Sequence, residues 1–506
     1  MSDTRLPSAV GTGLPDPVHA ANVLYNPSLD RLRSFSEALE TTTEYGSPSY
    51  VSEYRSRSAD HTRNAIDHNF TPEDTEYVEQ ALDALRTTDL VCLDRQVGRH
   101  PDQTYVCRLF VPKQYSRIAL AWAKLFDPVA DPEPSPDFQT VQLPDHDQTA
   151  VRILPDEGLT VVLGSDYTGE AKKSFLRLFM HRAKQDGGLG LHAGSKRVRT
   201  RTPEGALRTV GQVFLGLSAT GKSTLTAHGL GLEAPETAEM LQDDVCALLS
   251  DGTVAGSEGQ GLYIKTIGLG RTQQPELYDA VTHESAVLEN VDVGADGTVD
   301  FESDRFTANG RAVISRAHLA SGADEIDLER VDQVFFITRN SLMPPVAKLS
   351  ATQAAAAFML GESIETSAGD PSSAGEAIRV VGTNPFILGS EGQEGNRFRE
   401  LIERLDVESF VLNTGRVGEG GDAVDVGVEE SVTILRELAR GTVTWTDDTE
   451  VPLRVPAAVP GLDIEQYRVP EIVDDYEQKA TELRAERRSY LAEFDSLDRE
   501  VVDAVY

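Results

Sequence analysis

An eight-residue stretch near the middle of the chain has the composition of a phosphate-binding loop. Gly216-Leu217-Ser218-Ala219-Thr220-Gly221-Lys222-Ser223 matches the pattern G-x-x-x-x-G-K-[ST]. In such a loop the glycines let backbone N–H groups wrap the phosphates, the lysine reaches the β- and γ-phosphates, and the hydroxyl that follows holds Mg²⁺. The residues expected to bind a nucleotide are Gly216, Ser218, Ala219, Thr220, Gly221, Lys222, Ser223 and Thr224.

Two adjacent carboxylates follow this loop. Asp243 and Asp244 come at the end of a short, weakly apolar run, Met240-Leu241-Gln242. A kinase anchors its metal on acids of this kind, but Asp-Asp pairs are also common turn residues in an acidic protein. The pair by itself leaves both interpretations open.

Lysine is scarce in this chain. Only ten of the 47 basic residues are lysines, and two of these, Lys172 and Lys173, are adjacent. Because arginine is used wherever a plain positive charge suffices, the retained lysines are candidates for work that needs a compact ammonium or a neutral amine. Lys222 of the glycine-rich loop belongs to this group.

The overall charge excludes two classes of partner. The chain carries 82 acidic and 47 basic residues, a formal net charge of −35. The negative electrostatic field of such a chain repels nucleic acid backbones and anionic lipid surfaces. We therefore expect small-molecule partners, no nucleic acid and no membrane. Many scattered carboxylates with few lysines are also typical of a halophilic protein, in which concentrated salt screens the self-repulsion. An ordinary acidic enzyme is the alternative.

Cysteine usage and hydropathy predict a cytoplasmic protein. Cys92, Cys107 and Cys246 are an odd number without metal-binding spacing, which predicts free thiols. No apolar run approaches the ~20 residues of a membrane span. The first 24 residues have neither the basic start nor the apolar stretch of a signal peptide.

The elements that must position these residues alternate between helix and strand. Residues 1–30 are rich in Pro, Ser and Gly and predict a loosely ordered lead-in. Thr71-Pro72-Glu73-Asp74 begins a helix that continues to about Arg86, because a capping residue, a proline and early acids favour a helix start. Short β-branched runs follow at 90–93, 105–111, 141–143 and 159–163, with a helix between 116 and 126.

A second α/β region contains the glycine-rich loop. Residues 169–184 predict a helix that ends before Gly187-Gly188, and residues 209–217 predict a strand leading into the loop. Further strands are predicted at 334–338 and 409–412, and a charged helix or helix pair at 476–506. We therefore expect an N-terminal substrate-binding α/β domain over residues 1–190 and a C-terminal P-loop nucleotide-binding domain over residues 191–506.

Short motifs in order along the chain resemble those of ATP-dependent phosphoenolpyruvate carboxykinases, from about Tyr54 to the end. The family's Y-x-G-E-x-K-K, M-H-C-S-A-N, G-L-S-G-T-G-K-T and G-D-D segments resemble the stretches that begin at Tyr167, Leu191, Gly216 and Gln242. Its LENV, NTRV, PPVSKL and VNTG segments resemble those at 288–291, 309–311, 344–349 and 412–415. Eight matches in the right order are far more specific than any single motif.

The resemblance implies a two-domain phosphoenolpyruvate carboxykinase-like α/β fold with a P-loop mononucleotide-binding C-terminal domain and an interdomain active-site cleft. It also implies a reaction, the reversible ATP-dependent conversion of oxaloacetate to phosphoenolpyruvate, CO₂ and ADP in gluconeogenesis. The implied cofactors are ATP, Mg²⁺ and Mn²⁺.

The same resemblance assigns roles to individual residues. Lys173, His192 and Asp244 match the ligands of Mn²⁺, and Ser223 matches the Mg²⁺ ligand of the nucleotide. The implied catalytic residues are Lys173, Lys222, Arg311 and Arg57. The implied substrate-binding residues are Arg57, Tyr167, Lys172, Lys173 and Arg311, with Arg57 on a carboxylate and Tyr167 at the CO₂ pocket.

Departures from the family's motifs keep two alternatives open. Ala193-Gly194-Ser195 replaces part of the M-H-C-S-A-N segment, and no arginine is found near residues 421–425 to pack on adenine. One alternative is a P-loop kinase of the same fold that phosphorylates a protein hydroxyl, as HPr kinases do. The other is a nucleotide-binding pseudoenzyme without catalysis.

Overall fold

Two compact units make up the part of the chain that the structure describes. The computed structural model describes residues 14–56, 58–132, 134–217, 220–272, 274–364, 377–448 and 450–506. Unit 1 contains residues 1–182 and 257–320, and unit 2 contains residues 183–256 and 321–506. Both units mix helices with sheets, as expected for an α/β protein.

The α-helices of the described residues are α1 Leu29–Phe35, α2 Pro72–Ala84, α3 Ser116–Ala123, α4 Thr168–Gln185, α5 Lys222–Ala227, α6 Pro275–Val281, α7 Ala351–Leu360, α8 Glu391–Leu405, α9 Val428–Arg440, α10 Val469–Ile472, α11 Tyr476–Leu491 and α12 Arg499–Asp503. None of them is both long enough and apolar enough to cross a membrane.

The first fifteen strands are β1 Val23–Tyr25, β2 Thr41–Thr42, β3 Pro48–Tyr50, β4 Thr62–Asn64, β5 Leu90–His100, β6 Gln103–Pro112, β7 Asp127–Pro128, β8 Phe138–Leu143, β9 Ala150–Leu154, β10 Leu159–Leu163, β11 Leu189–Leu191, β12 Ala193–Arg201, β13 Leu207–Leu215, β14 Thr237–Gln242 and β15 Cys246–Leu248. The others are β16 Val254–Gly256, β17 Gly261–Lys265, β18 Val287–Glu289, β19 Asp292–Val293, β20 Val299–Asp300, β21 Arg311–Ser315, β22 Gln333–Thr338, β23 Val346–Leu349, β24 Glu362–Ile364, β25 Ala377–Arg379, β26 Glu408–Asn413, β27 Arg416–Val417, β28 Val424–Asp425, β29 Thr444–Asp447 and β30 Arg454–Ala458.

Unit 1 contains two large sheets of unequal size and the two-stranded sheet β19-β20. The larger has the order β1-β5-β6-β8-β10-β9-β4, with β7 paired to β5, and α2 packs on its core. After β10 the chain turns at Gly164 and enters α4, which carries Lys172 and Lys173. The smaller sheet has the order β17-β21-β18-β3-β2, so it joins strands from residues 41–50 to strands from residues 261–315.

Unit 2 is built on an eight-stranded sheet of order β14-β12-β13-β22-β26-β23-β30-β29. Its centre, β13-β22-β26, is parallel. Successive residues of β22 point to opposite faces: Phe336 joins the core with α7 and α8, and Phe335 joins the core with α9. Because both faces are covered, the central strands are almost continuously apolar. The phosphate-loop motif follows the carboxyl end of β13 in this sheet.

Several local predictions are confirmed. Helix α2 begins after Thr71 with a complete capping box to Asp74 and has proline in its first turn. Helix α4 covers residues 168–185 and is followed by Gly187 at φ +82°, a left-handed conformation that favours glycine. The strands predicted at 90–93, 105–111, 159–163 and 334–338 are all present, most of them longer than the pattern indicated.

Two expectations need correction. Within the predicted loose lead-in of residues 1–30, β1 pairs in parallel with β5, and α1 begins at Leu29. A three-residue strand is too short to show a period, so its pairing could not be detected. Residues 257–320 fall in unit 1, whereas the sequence assigned them to the C-terminal domain over residues 191–506. Within them, β18 pairs with β3, which lies more than 200 residues earlier in the chain, and no local pattern encodes that pairing.

Candidate functional site

The glycine-rich motif, of which residues 216–217 and 220–223 are described, has the strand and helix context that a phosphate loop requires. It follows β13 and leads directly into α5, whose first residues are Lys222 and Ser223. Gly221 has φ +97°, a conformation that L side chains rarely adopt. A Cβ on Gly216 would lie 2.7 Å from Thr220 Oγ1, so this position also needs glycine. Ser218 and Ala219, which the sequence placed in the nucleotide site, lie outside the described residues.

Two hydroxyl groups stabilise this loop, one from within it and one from a neighbouring segment. Thr220 Oγ1 donates to the Leu217 carbonyl at 2.8 Å, and Thr414 Oγ1 donates to the Thr220 carbonyl at 2.7 Å. Thr414 belongs to the Leu412-Asn413-Thr414-Gly415 motif at the end of β26. The Asn413 side chain donates to the carbonyls of Asn340, Met343 and Arg416 at 2.9–3.1 Å. Through these hydrogen bonds the motif holds the loop in place.

The hydroxyl of Ser223 contacts a carboxylate that sequence analysis did not include in the site. Ser223 Oγ donates to Asp243 Oδ2 at 3.1 Å, and Asp243 is buried at the end of β14. A hydroxyl and a carboxylate at this spacing are hard oxygen donors of the kind that Mg²⁺ prefers. The adjacency of Asp243 and Asp244 was the available signal, but only Asp244 was assigned a role.

His192 and Asp244 come together in unit 2. His192 Nδ1 lies 2.5 Å from the Thr383 carbonyl, and its Nε2 lies 2.9 Å from Asp244 Oδ1. Because a carbonyl only accepts hydrogen bonds, Nδ1 carries a proton and donates it to Thr383, which turns Nε2 toward the carboxylate. An imidazole nitrogen and a carboxylate oxygen are both ligands that divalent metals bind. The pair therefore fits a divalent metal, with the carbonyl fixing the histidine tautomer.

In the described part of the chain, no three His, Cys, Asp or Glu side chains gather as a metal site. The sequence assigned the role of a third ligand, beside His192 and Asp244, to Lys173. Lys173 belongs to unit 1 and the other two residues to unit 2.

The adjacent lysines of α4 have different environments. Lys172 is completely buried, and its Nζ lies 2.9 Å from Glu258 Oε1 and 5.4 Å from the centre of the Tyr263 ring. Lys173 is half-buried. Successive residues of a helix are rotated by about 100°, so the two side chains leave α4 in different directions. Lys172 makes a buried ion pair inside unit 1, and the substrate contact expected of it stays a prediction.

Tyr167 and Arg311 are linked through Asn309. Asn309 Nδ2 donates to the Tyr167 hydroxyl at 3.3 Å, and Arg311 Nη2 donates to Asn309 Oδ1 at 2.7 Å. The Arg311 guanidinium also lies over the Tyr263 ring, 5.5 Å from its centre. Burial, with Glu289 beside it, raises the pKa of Tyr263 well above its ordinary value, so the ring stays neutral beneath the arginine. Tyr167 and Arg311 thus lie in one connected cluster in unit 1.

Glu289 organises this cluster and was not among the predicted site residues. Its Oε1 accepts from the Thr168 backbone N–H at 3.1 Å and from Thr168 Oγ1 at 2.9 Å, and its Oε2 accepts from the Tyr263 hydroxyl at 2.5 Å. Arg117 adds a contact at 3.3 Å. Glu289 therefore fixes both the start of α4 and the ring under Arg311. The only available signal was its place in the Leu288-Glu289-Asn290-Val291 motif.

Arg57 lies outside the described residues. Its neighbour Ser58 donates its backbone N–H to Glu170 Oε1 at 2.5 Å, so the segment that follows Arg57 is attached to the first turn of α4. The predicted carboxylate contact of Arg57 stays a prediction.

Comparison with known proteins gives one consistent result. The family model described as phosphoenolpyruvate carboxykinase matches residues 35–465. A protein of Aeropyrum pernix named phosphoenolpyruvate carboxykinase (ATP) is 34% identical over 486 residues, which are 94% of this chain and 96% of that protein. Proteins of the same name from Alkaliphilus oremlandii and Mesorhizobium japonicum are 26% and 27% identical over 77% and 62% of this chain, and over 73% and 57% of their own lengths.

Proposed function

The chain belongs to the phosphoenolpyruvate carboxykinase family, and we propose that it catalyses the reversible reaction of oxaloacetate with ATP to give phosphoenolpyruvate, CO₂ and ADP. In the forward direction the bond between C3 and the C4 carboxyl carbon breaks, CO₂ leaves, and the enolate oxygen takes the γ-phosphoryl group. The relative that matches over nearly its whole length carries a name that specifies ATP. The reaction belongs to gluconeogenesis and uses ATP with Mg²⁺ and Mn²⁺.

The observation that carries the proposal is the phosphate loop together with its carboxylate partner. The motif lies between β13 and α5, and Ser223 Oγ contacts Asp243. We assign ATP to this loop, with Lys222 on the β- and γ-phosphates and with Ser223 and Asp243 toward Mg²⁺. Unit 2 is accordingly the P-loop nucleotide-binding half of the family's two-domain fold.

We assign oxaloacetate to residues of unit 1. Arg57 is proposed to bind a carboxylate, Tyr167 to line the pocket that holds CO₂, and Arg311 to neutralise charge on the transferring phosphoryl group. The contact with Asn309 orients Arg311, and the Tyr263 ring supports its guanidinium. Phosphoryl transfer depends on alignment and charge neutralisation more than on covalent participation, so such an oriented cation is suited to it.

His192, Asp244 and Lys173 are the proposed Mn²⁺ ligands. When bound, the ion supplies positive charge where negative charge develops as CO₂ leaves. The chain's own part is to present the ligands correctly. The Thr383 carbonyl holds the His192 tautomer, and α4 carries Lys173 on a face different from that of the buried Lys172. A lysine that binds a metal must be neutral, which arginine cannot be.

One assay separates this function from both alternatives. Purified protein in molar KCl is incubated with oxaloacetate, ATP and Mn²⁺, and phosphoenolpyruvate and ADP are measured together. Equal amounts of the two products are expected. ADP without phosphoenolpyruvate, together with phosphate transfer to a protein serine, would favour the HPr kinase-like alternative. Bound ATP without either product would favour a pseudoenzyme.

Replacing the loop lysine tests the nucleotide assignment. Lys222→Ala removes a positive charge from the transferring phosphates, and loss of one such contact typically lowers the rate by a factor of about 10²–10³. The matched control is Lys479→Ala on α11, which removes a lysine from a helix outside the proposed site. Retention of a near-normal kcat and ATP affinity by Lys222→Ala would refute the assignment of ATP to this loop.

The halophilic character and the cytoplasmic location expected from the sequence stay predictions. The halophilic character rests on the formal charge of −35, and it is tested by the dependence of the urea midpoint on the KCl concentration.

A further inference from the structure

Lys196 is a fully buried cation on β12, the strand that pairs with β13 beside the phosphate loop. It lies in the middle of β12, its side chain has no exposed surface, and its Nζ is 5.8 Å from the centre of the Phe214 ring. Its ammonium donates to the backbone carbonyls of Leu225 and His228, each at 2.5 Å. Burying an ammonium is costly unless it is hydrogen-bonded, so these contacts account for its presence in the core.

The two carbonyls belong to the end of the phosphate-loop helix. Helix α5 covers only Lys222–Ala227, and His228 is its C-cap. A helix this short is unstable on its own, and the last carbonyls of any helix lack partners inside it. A cation at the carboxyl end supplies those partners and complements the helix dipole. Lys196 therefore holds the end of α5 opposite to the end that carries Lys222 and Ser223.

A second residue of β12 contacts the same helix. A Cβ on Gly194 would lie 2.5 Å from Thr226 Oγ1, so glycine is what lets α5 approach the strand this closely. Thr226 Oγ1 in turn donates to the Lys222 carbonyl at 2.8 Å. Gly194 and Lys196 occupy the places of serine and asparagine in the M-H-C-S-A-N segment, so the close approach and the cation occur at two positions where this chain departs from that motif.

We propose that Lys196 is a positioning residue for ATP: by binding the carboxyl end of α5 to β12, it sets the direction in which Lys222 and Ser223 face the nucleotide phosphates. A compact ammonium fits between two carbonyls in a fully buried place, which the larger planar guanidinium of arginine does not. This inference rests on the proposed assignment of ATP to the loop. It predicts an effect on ATP that is separate from any effect on folding or on oxaloacetate.

The experiment compares Lys196→Met with a control variant that also loses a hydrogen bond from a basic side chain to a carbonyl near the end of a helix. The control is Arg208→Met, because Arg208 Nε donates at 3.0 Å to the Ala439 carbonyl near the end of α9, another helix of unit 2. Melting temperature, kcat, and the KM values for ATP and for oxaloacetate are measured for both variants in molar KCl with Mg²⁺ and Mn²⁺. Lys222→Ala is measured in parallel.

In Lys196→Met we expect kcat/KM for ATP to fall about tenfold or more, because a displacement of about 1 Å in a catalytic group can cost up to 10²-fold. The KM for oxaloacetate should stay within about twofold, and Arg208→Met should leave both KM values unchanged whatever its melting temperature. If Lys196→Met does not fold, Lys196→Gln, which keeps N–H donors, and Gly194→Ala, which pushes α5 from β12, are measured by the same criterion.

Two results would overturn the inference. The first is a variant at Lys196 or Gly194 that melts earlier but keeps the ATP parameters of the unmodified protein, since that pattern means a purely structural role. The second is an equal rise in the KM values for ATP and for oxaloacetate. If Lys222→Ala also keeps its ATP affinity, the loop assignment itself fails; if Lys222→Ala loses it, only the role of Lys196 is refuted.

Discussion

Replacing Glu362 by glutamine removes the anion from a buried ionic cluster in unit 2. Glu362 Oε1 accepts from Arg487 Nη2 at 2.7 Å, and its Oε2 accepts from Arg379 Nη2 at 2.9 Å. Asn340 Nδ2 donates to Oε1 at 3.0 Å. The Glu362 and Arg487 side chains are 6% and 3% exposed, so solvent screens their interaction very little. Glutamine keeps the size of the side chain but removes the carboxylate that the two guanidinium groups share.

The pKa of Glu362 sets the size of the effect. Burial alone would raise this pKa, but Arg487 and Arg379 lower it from 4.5 to about 2. At about 1.4 kcal/mol for each pKa unit, the ionised form contributes about 3 kcal/mol to folding. The measured cost of removing one partner from a buried ion pair is of the same order, about 3–5 kcal/mol. We therefore expect Glu362→Gln to lower the free energy of unfolding by about 3 kcal/mol at neutral pH.

The assay follows unit 2 by the fluorescence of a single tryptophan. The chain has two tryptophans, Trp122 in unit 1 and Trp445 in unit 2, where the Trp445 ring stacks on Phe410 with 5.7 Å between ring centres. In a Trp122→Phe background, urea unfolding therefore reports the core around Phe410. The control is Glu486→Gln, which removes a 59% exposed carboxylate from Arg379 and should cost less than about 1 kcal/mol.

The pH dependence of the free energy of unfolding independently checks the sign of the contribution from Glu362. Because the folded pKa is below the unfolded value of 4.5, the stabilisation is fully present above pH 4.5 and is lost as the pH falls through about 2. The difference between the unmodified protein and Glu362→Gln should thus be constant above about pH 5 and shrink in more acidic solution. A cost below about 1 kcal/mol at neutral pH, or a difference that grows on acidification, would refute the reasoning.

Two further predictions concern the metal and the surface charge. Lys173→Arg keeps the charge but cannot become a neutral ligand, so Mn²⁺ affinity measured by electron paramagnetic resonance should fall at least tenfold while ATP binding is retained; equal Mn²⁺ affinities would remove Lys173 from the metal site. The formal charge of −35 predicts that the urea midpoint rises between 0.1 and 1 M KCl, as the Debye length falls from about 10 Å to about 3 Å. A midpoint independent of KCl would contradict the halophilic interpretation.

The sequence predicted those elements whose signals are local. The capping box of Thr71 and Asp74, the glycine that ends α4 and the phosphate-loop motif each depend on residues within about one or two helical turns of each other. Local backbone preferences decide these features before any tertiary contact forms. Their boundaries in the structure accordingly lie close to the predicted ones.

Features that depend on distant pairing could not be predicted in the same way. Strand β3 pairs with β18, which places Tyr50 beside Glu289 although 239 positions separate them in the numbering. Glu289 then reaches Thr168 at the start of α4. The role of Glu289 exists only because three separate segments meet, so the composition around residue 289 gives no indication of it. A motif match to a family was the one route to it from sequence.

Two pairs of adjacent residues carry the same charge, and in each pair the fold buries one residue more than the other. In the first pair, Lys172 is buried against Glu258 and Lys173 is half-buried; in the second, Asp243 is buried and accepts from Ser223, while the half-buried Asp244 lies against His192.

In each pair the inner residue is tied to an internal partner, which lowers the cost of placing two equal charges side by side. The outer residue of each pair, Lys173 or Asp244, is the one proposed above as a Mn²⁺ ligand. Sequence alone identifies such a pair as important but cannot say which member is internal, because that depends on the direction in which the helix or strand is packed. The substrate contacts expected of Lys172 and Lys173 stay predictions, and the same ambiguity explains why a metal role was assigned to Asp244 but not to Asp243.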